Sequence, residues 1–199
     1  MAWQPDLPGL RESCLDTLVA AMTTKIADLE TALTISPALS LGASITSGQF
    51  HVGDPDTLPD LSTSPFWVSV VGGGKRDGTD TEIEVKQSGP GFWLTVHTNI
   101  YLYLHPDAFP STDAFSQATQ RERFRARFTD WLRADVFNTP AAYSLTLGSK
   151  ETTNGGPAYD ELNESYIRDI SMGYVLKSFG PSVWVFMAHY AHSGKIYGG

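Results

Sequence analysis

The chain has 199 residues, a formal net charge of −8 at pH 7, 41% hydrophobic residues and one cysteine. This length suits one domain, which buries roughly 70% of the surface that the unfolded chain exposes, and the acidic balance argues against a general affinity for nucleic acid. Cys14 cannot form an intramolecular disulfide and is interpreted as a buried, inert thiol in a reducing compartment. No stretch is apolar enough to span a membrane and the N-terminus lacks a signal-peptide pattern, so synthesis in the cytosol is expected.

The N-terminal segment predicts one amphipathic helix. Apolar residues recur at three- and four-residue spacing from Leu10 to Leu33, and Pro37 follows the last of them. We expect the apolar face of this helix to pack on a sheet. The next segment, Ser36 to Ser64, is rich in Pro, Gly, Ser, Thr and Asp, and it predicts a long surface loop with at most one short strand near Ile45 to Val52.

Three strands are predicted in the middle of the chain. Phe66 to Val71 forms an apolar strand, and Thr81 to Lys86 alternates apolar and charged residues as an exposed edge strand does. The longest strand, Phe92 to Leu104, has apolar residues and one threonine at its even-numbered positions, and aromatic or polar residues at its odd-numbered ones. This alternation predicts a central strand with both faces covered.

The C-terminal half predicts a second helix and a hairpin. The helix runs from about Asp113 to Phe137, a loop is expected at about 148–159, and two β-rich runs, Tyr166 to Ser178 and Ser182 to His192, form a hairpin. The order of elements predicts a single α+β domain over residues 1–199. Its sheet is expected to be mixed or antiparallel, with two main helices packed on it and the C-terminal β-hairpin at its end.

Local motifs for catalysis or for cofactor binding are weak. Gly72 to Lys75 follows a strand but lacks the spacing of a phosphate-binding loop, and the acidic run from Asp77 to Glu84 lacks the last ligand of an EF-hand. His189 and His192 fall on opposite sides of a strand, where they cannot share a metal ion. We therefore expect no enzyme activity, no cofactor and no metal. A hydrolase with carboxylates that meet only in space is the less favoured alternative.

The second helix carries most of the arginines. Five of the eight arginines of the chain lie in it, and two pairs with i, i+4 spacing place like charges together, which destabilises an isolated helix. The partner that relieves this repulsion is the acidic N-terminal third of a neighbouring identical subunit, a nucleic acid, or intrachain acids such as Glu122, Asp130 and Asp135. The five residues are Arg121, Arg123, Arg125, Arg127 and Arg133.

Aromatic side chains on the strands suggest a different class of function. They suit a carbohydrate-binding module or a receptor-binding tail accessory protein, because aromatic rings stack on sugars. Aromatic residues in alternating strands are more often core residues and cross-strand pairs, and we favour that interpretation. The residues concerned are Trp67, Trp93, Tyr101, Tyr103, Trp184 and Tyr190.

The order of elements resembles that of the tail terminator and tail completion proteins of long-tailed bacteriophages. In that family an N-terminal helix precedes a strand that opens with Pro and hydrophobic residues, here Pro65 to Val70. A long strand ending in Pro follows, here Phe92 to Pro106, and then an amphipathic helix, here Asp113 to Phe137. A C-terminal hairpin completes the sheet, here Tyr166 to His192.

The resemblance implies a structural virion protein without catalytic activity. Such proteins form hexameric rings at the neck or tail, terminate the tail tube and join it to the head, so the expected partners are other copies of the chain, the tail tube protein and head–tail connector proteins. DNA would pass through the ring only as cargo. The resemblance makes the arginine helix and the loop at 36–64 candidates for subunit contacts, with Asp54, Asp56 and Asp60 as acidic partners in that loop.

Overall fold

The computed structural model describes residues 7–53, 64–73, 83–88, 91–105, 108–109, 114–136, 173–174 and 183–197. Three helices lie in these ranges: α1 is Leu7–Thr24, α2 is Ile26–Thr34, and α3 is Ala114–Trp131, which a π-helical turn, Leu132–Val136, continues. The strands are β1 Phe50–Val52, β2 Phe66–Gly72, β3 Ile83–Ser88, β4 Gly91–Leu104, β5 Gly173–Tyr174 and β6 Trp184–Tyr197. Helices and a mixed sheet together confirm the predicted α+β fold class.

The sheet is built around β4. Its strand order is β1-β2-β4-β6-β5, and β3 pairs with β4 as well. One edge of β4 pairs with β3 along residues 91–96 and with β2 along residues 98–104, while the other edge pairs with β6 over the whole length of β4. The β1–β2 pair is parallel and the other pairs are antiparallel, so the sheet is mixed.

The helices cover one face of the sheet. Even-numbered residues of β4 from Ile100 to Leu104 are buried with the apolar residues of α1, α2 and α3 in one core. Phe66 of β2 is at the centre of this core, where its ring lies 6.1 Å from Phe50, 5.4 Å from Phe124 and 6.4 Å from Phe128 between centroids. The sheet-packing face predicted for both amphipathic helices is therefore confirmed for the described residues.

The predicted N-terminal helix is interrupted at Lys25. Thr23 and Thr24 donate their hydroxyls to the carbonyls of Ala20 and Ala21, and the Lys25 amide bonds to the Met22 carbonyl, three residues back. The Lys25 carbonyl accepts the indole N–H of Trp131 at 2.9 Å. Consecutive threonines and a contact from a distant helix thus separate α1 from α2, which the apolar spacing alone could not reveal.

The segment predicted as a surface loop contributes to the core. Leu39 and Ile45 are buried with the helix residues, so the prediction of a purely surface course is wrong for the part of this segment that the structure describes. The short strand predicted near Ile45 to Val52 is present as β1, after a capping box between Thr46 and Gln49 that closes a 3-10 turn. Residues 54–63 lie outside the described ranges.

The remaining elements follow the predictions with shifted bounds. The polar strand expected at Thr81 to Lys86 is β3, Ile83–Ser88, and the last strand extends beyond His192 to Tyr197. β5 pairs antiparallel with β6, as the expected C-terminal hairpin requires. The loop predicted at about 148–159 lies outside the described residues. No helix in the described part of the chain is long and apolar enough to cross a membrane.

We expect Phe66→Ala to destabilise the fold by about 3–5 kcal/mol, because it removes the aromatic ring that contacts β1 and α3 in the core. Chemical denaturation followed by tryptophan fluorescence measures this loss. Val52→Ala is the control, since Val52 is 45% exposed on the edge strand and should change the free energy of unfolding by about 0.5 kcal/mol or less. Equal losses in the two variants would contradict this description of the core.

Candidate functional site

Arg127, one of the five arginines predicted to bind a partner, binds the backbone of its own chain. Its guanidinium donates to the carbonyls of Leu33 at 3.0 Å, Ile35 at 2.9 Å and Pro37 at 2.7 Å. These carbonyls lie at and beyond the C-terminal end of α2, where helix carbonyls lack intrahelical partners. A cation at that end also interacts favourably with the helix dipole. Arg127 therefore stabilises the junction of α2, α3 and the following loop.

Arg121 and Arg125 lie against aromatic rings of β6. The guanidinium of Arg121 is 4.2 Å from the ring centroid of Trp184, and that of Arg125 is 6.0 Å from Phe186. Glu122 lies between the two arginines, bonded to Arg125 Nε at 2.9 Å and 3.6 Å from Arg121 Nε, which is an ion-pair distance too long for a hydrogen bond. Cation–π contacts and Glu122 thus offset the like-charge repulsion that the sequence indicates.

Arg123 and Arg133 are exposed. Arg123 lies on the stripe of α3 that also carries Glu122 and Asp130, and Arg133 lies in the π-helical turn that continues α3. The adjacent α1–α2 layer exposes acidic side chains, among them Asp16 and Glu30. The helix side of the molecule therefore presents two outward arginines beside an acidic helix surface. The predicted acidic partners Asp54, Asp56 and Asp60 lie outside the described residues.

The opposite face of the sheet, which we call the helix-free face, has an aromatic half. Tyr103 is fully buried there with Val183 and Val185, and Trp67 and Tyr101 pack against them. The ring of His51 stacks on Trp67, with 3.7 Å between centroids and planes inclined by 10°. These contacts agree with the interpretation of the strand aromatics as cross-strand pairs.

The aromatics that were considered as a sugar-binding set are divided between the two faces. Trp67, Tyr101 and Tyr103 lie on the helix-free face, whereas Trp184 pairs with Leu104 and packs against the core on the helix side. The set does not form a single stacking platform. On the helix-free face the Trp67 indole N–H and the Ser69 hydroxyl are buried and lack a hydrogen-bond partner among the described residues.

The other half of the helix-free face carries a hydrogen-bonded chain of four polar side chains from three strands. Glu84 Oε1 of β3 lies 3.1 Å from His97 Nε2 of β4, and His97 Nδ1 lies 3.1 Å from His189 Nε2 of β6. His189 Nδ1 lies 2.8 Å from Asn99 Oδ1 of β4. We call these four residues the histidine network.

The histidine network is largely withdrawn from solvent. The His97 side chain is 2% exposed and the Glu84 side chain 16% exposed. The two imidazole rings are 5.3 Å apart between centroids and inclined by 20°, so they meet edge to edge, as a hydrogen bond between ring nitrogens requires. Gly73 packs directly against Asn99 of the network, and a Cβ at position 73 would overlap the side-chain amide of Asn99.

Sequence reasoning did not identify the histidine network. His97 and His189 are separated by 92 positions and Glu84 and His97 by 13, and no motif links them. One signal was available, since His97 and Asn99 are polar residues at alternate positions of a strand whose two faces were both predicted to be covered. A buried polar residue needs a partner, but the pairing register that supplies it is a property of the folded sheet.

The described residues give no support to the weak sequence motifs for phosphate or metal binding. Gly72 ends β2 and Gly73 is buried, while Gly74 and Lys75 lie outside the described ranges. His192 pairs with Val96 and His189 with Asn99 in the sheet. In the described part of the chain, no group of three or more histidine, cysteine, aspartate or glutamate side chains is arranged to hold a metal ion.

Comparison with known proteins assigns no family. No protein-family model matches the chain, and no curated protein matches it significantly.

We expect Arg127→Ala to lower the free energy of unfolding by about 2 kcal/mol, because it leaves three carbonyls without their charged donor. Arg127→Lys should recover less than half of that loss, since one ammonium cannot reproduce the fork of a guanidinium. Arg123→Ala is the matched control on the exposed stripe and should change stability by about 0.5 kcal/mol or less. Urea denaturation of the three variants measures their free energies of unfolding. Equal losses in the two alanine variants would show that the hydrogen bonds of Arg127 to the three carbonyls do not stabilise the fold.

Cys14 should be chemically inert in the folded protein. It is buried, and burial raises the pKa of its thiol to about 12 from an ordinary value of 9.0. The reactive species is the thiolate, so iodoacetamide at pH 8.5 should modify Cys14 only after denaturant is added. Mass spectrometry of the intact protein measures the modification, and rapid alkylation under native conditions would contradict the burial.

The same burial predicts a pH dependence of stability. The folded state keeps the thiol proton while the unfolded state releases it above pH 9, so stability should fall by about 1.4 kcal/mol per pH unit between pH 9 and pH 12. Cys14→Ala lacks this contribution. The difference between the unfolding free energies of the two proteins, measured from pH 8 upward, should therefore narrow or reverse above pH 9.

Proposed function

We propose that the chain is a non-enzymatic structural protein of a bacteriophage virion. It forms a ring at the neck or tail, terminates the tail tube and joins it to the head. The observation that carries the proposal is the order of elements: a helical layer, a strand that opens after proline, a long central strand, an arginine-rich helix and a C-terminal strand pair. This order is the one in which the sequence resembles tail terminator and tail completion proteins.

The distribution of charge supports contacts between identical subunits. Arg123 and Arg133 face outward from α3, while Asp16 and Glu30 face outward from the neighbouring α1–α2 layer. A contact in which the arginines of one subunit meet the acidic layer of the next joins two different surfaces. Such a heterologous contact closes into a ring when its rotation permits. Complementary charge favours this pairing over contacts between like surfaces.

The net charge of −8 is consistent with DNA as passing cargo. A protein that binds duplex DNA tightly presents many lysines and arginines to the phosphates. Here Arg121, Arg125 and Arg127 bind carbonyls, aromatic rings or Glu122 of the same chain. A ring at the neck or tail is located in the virion, after synthesis in the host cytoplasm, and its proposed partners are the tail tube protein and connector proteins.

Negative-stain electron microscopy and light scattering test the ring. We expect the purified protein to form rings, or to cap one end of polymerised tail tubes when it is mixed with them. Monomers that bind neither each other nor tube ends would overturn the proposal. Glycan binding with quenching of tryptophan fluorescence, in such monomers, would instead favour the carbohydrate-binding alternative.

A charge swap tests the proposed subunit contact. We expect the double variant Arg123→Glu with Arg133→Glu to lose assembly, and the double variant Asp16→Lys with Glu30→Lys to lose it as well, because each makes like charges meet. A mixture of the two double variants should recover assembly, since opposite charges meet again at every contact when the two variants alternate around the ring. Sedimentation velocity measures the assembled fraction, and thermal unfolding confirms that each variant remains folded.

Intact assembly of both double variants would remove the role proposed for these side chains. Arg121 and Arg125 are less suitable for charge reversal, because their contacts with Trp184, Phe186 and Glu122 contribute to the fold of the subunit itself.

A further inference from the structure

We propose that the histidine network is a proton-binding site, in which His97 and His189 hold one proton between them and Glu84 balances its charge. The inference is independent of the proposed function and follows from counting donors and acceptors along the network. A neutral imidazole carries one N–H and one nitrogen that only accepts, whereas a protonated imidazole donates from both nitrogens.

The two outer contacts determine where the first two protons lie. His97 Nε2 faces the Glu84 carboxylate, which accepts hydrogen bonds and has none to donate when ionised, so this nitrogen carries a proton. His189 Nδ1 faces the Asn99 carbonyl oxygen, which also only accepts, so this nitrogen carries a proton as well. If both rings were neutral, their remaining nitrogens would both be bare.

These remaining nitrogens face each other. His97 Nδ1 and His189 Nε2 are 3.1 Å apart, within the range of a hydrogen bond, and two facing lone pairs at this distance repel. One additional proton, taken from water, converts the contact into an N–H···N hydrogen bond. The geometry suits a proton better than a bridging metal ion, because the rings meet edge to edge and a metal between the facing nitrogens would be nearly linear, whereas zinc in proteins is tetrahedral.

Glu84 compensates for the resulting positive charge. The charge lies where His97 is almost fully buried, and a buried charge is costly unless an opposite charge is hydrogen-bonded to it. Glu84 supplies that charge from β3. Its second oxygen lies 3.9 Å from Lys86 Nζ, a much more exposed group on the same strand. The site therefore links β3 and β6 through the middle of the sheet by an ion pair and a shared proton.

Two neutral arrangements compete with this one. In the first, Glu84 is protonated and donates to His97 Nε2. In the second, the Asn99 amide is reversed, so that its NH₂ donates to His189 Nδ1. Asn99→Asp removes that donor and keeps an acceptor. The variant should therefore retain the shared proton. Its new carboxylate would also attract a proton to His189 in the reversed arrangement, so the count in the unsubstituted protein is the one that separates the two arrangements.

Nitrogen-15 NMR of the imidazole rings in the full chain provides the test. At pH 7 we expect three N–H protons over the four ring nitrogens of His97 and His189 in the unsubstituted protein, and three in Asn99→Asp. Glu84→Gln keeps an acceptor but removes the balancing charge, so it should show two. Lys86→Gln is the matched control on the same strand and should show three. His97→Gln and His189→Gln assign the signals.

Two results would overturn the proposal. One is a count of two N–H protons in the unsubstituted protein, which corresponds to two neutral rings. The other is stoichiometric binding of added Zn²⁺ that shifts both rings and disappears in His97→Gln, which would make the site a metal site instead. If the histidine variants do not fold, the counts in the unsubstituted protein and in Glu84→Gln decide by themselves, because a total of three or two N–H protons needs no assignment to one ring.

Discussion

The pairing of β4 along both of its edges is the constraint on which the rest of the structure depends. One edge pairs with β6 for the whole length of the strand, and the other is divided between β3 and β2. Because side chains alternate between the two faces of a strand, the register of these pairings determines which residues of β4 face the helices and which face the other side. A shift of one residue would place Ile100, Leu102 and Leu104 on the helix-free face and bring His97 and Asn99 into the apolar core.

Much of the architecture follows from patterns that are local in sequence. The alternation in β4 and the helical spacing in α3 are periodic over many residues, so the type of each element could be predicted without tertiary information. The break at Lys25 could not, since it depends on the Trp131 indole, 106 positions away. Burial of Leu39 and Ile45 was also hidden, because a composition rich in Pro, Gly and Ser indicates a loop but not whether that loop crosses the core.

The arginine-rich helix illustrates why composition does not identify a site. Spacing along the helix shows which arginines are neighbours, but not what lies opposite them. Arg127 meets carbonyls beyond the end of α2, and Arg121 meets Trp184 from the last strand. Such contacts between distant segments use positive charge to stabilise the subunit. Among the five arginines of the second helix, Arg123 and Arg133 are the exposed ones, and these two are the ones our assembly proposal uses.

The two faces of the sheet are stabilised by different kinds of contact. On the helix side, apolar contacts bury the core and the outer helix surface presents charge to the surroundings. On the helix-free face, the four side chains of the histidine network come from three strands and satisfy one another, so their hydrogen bonds depend on the register of the strands. The short strand β3 is held against β4 by its backbone pairing and also by the contact of the Glu84 side chain with His97. The register of β4 therefore determines the apolar contacts on one face and the polar contacts on the other at the same time.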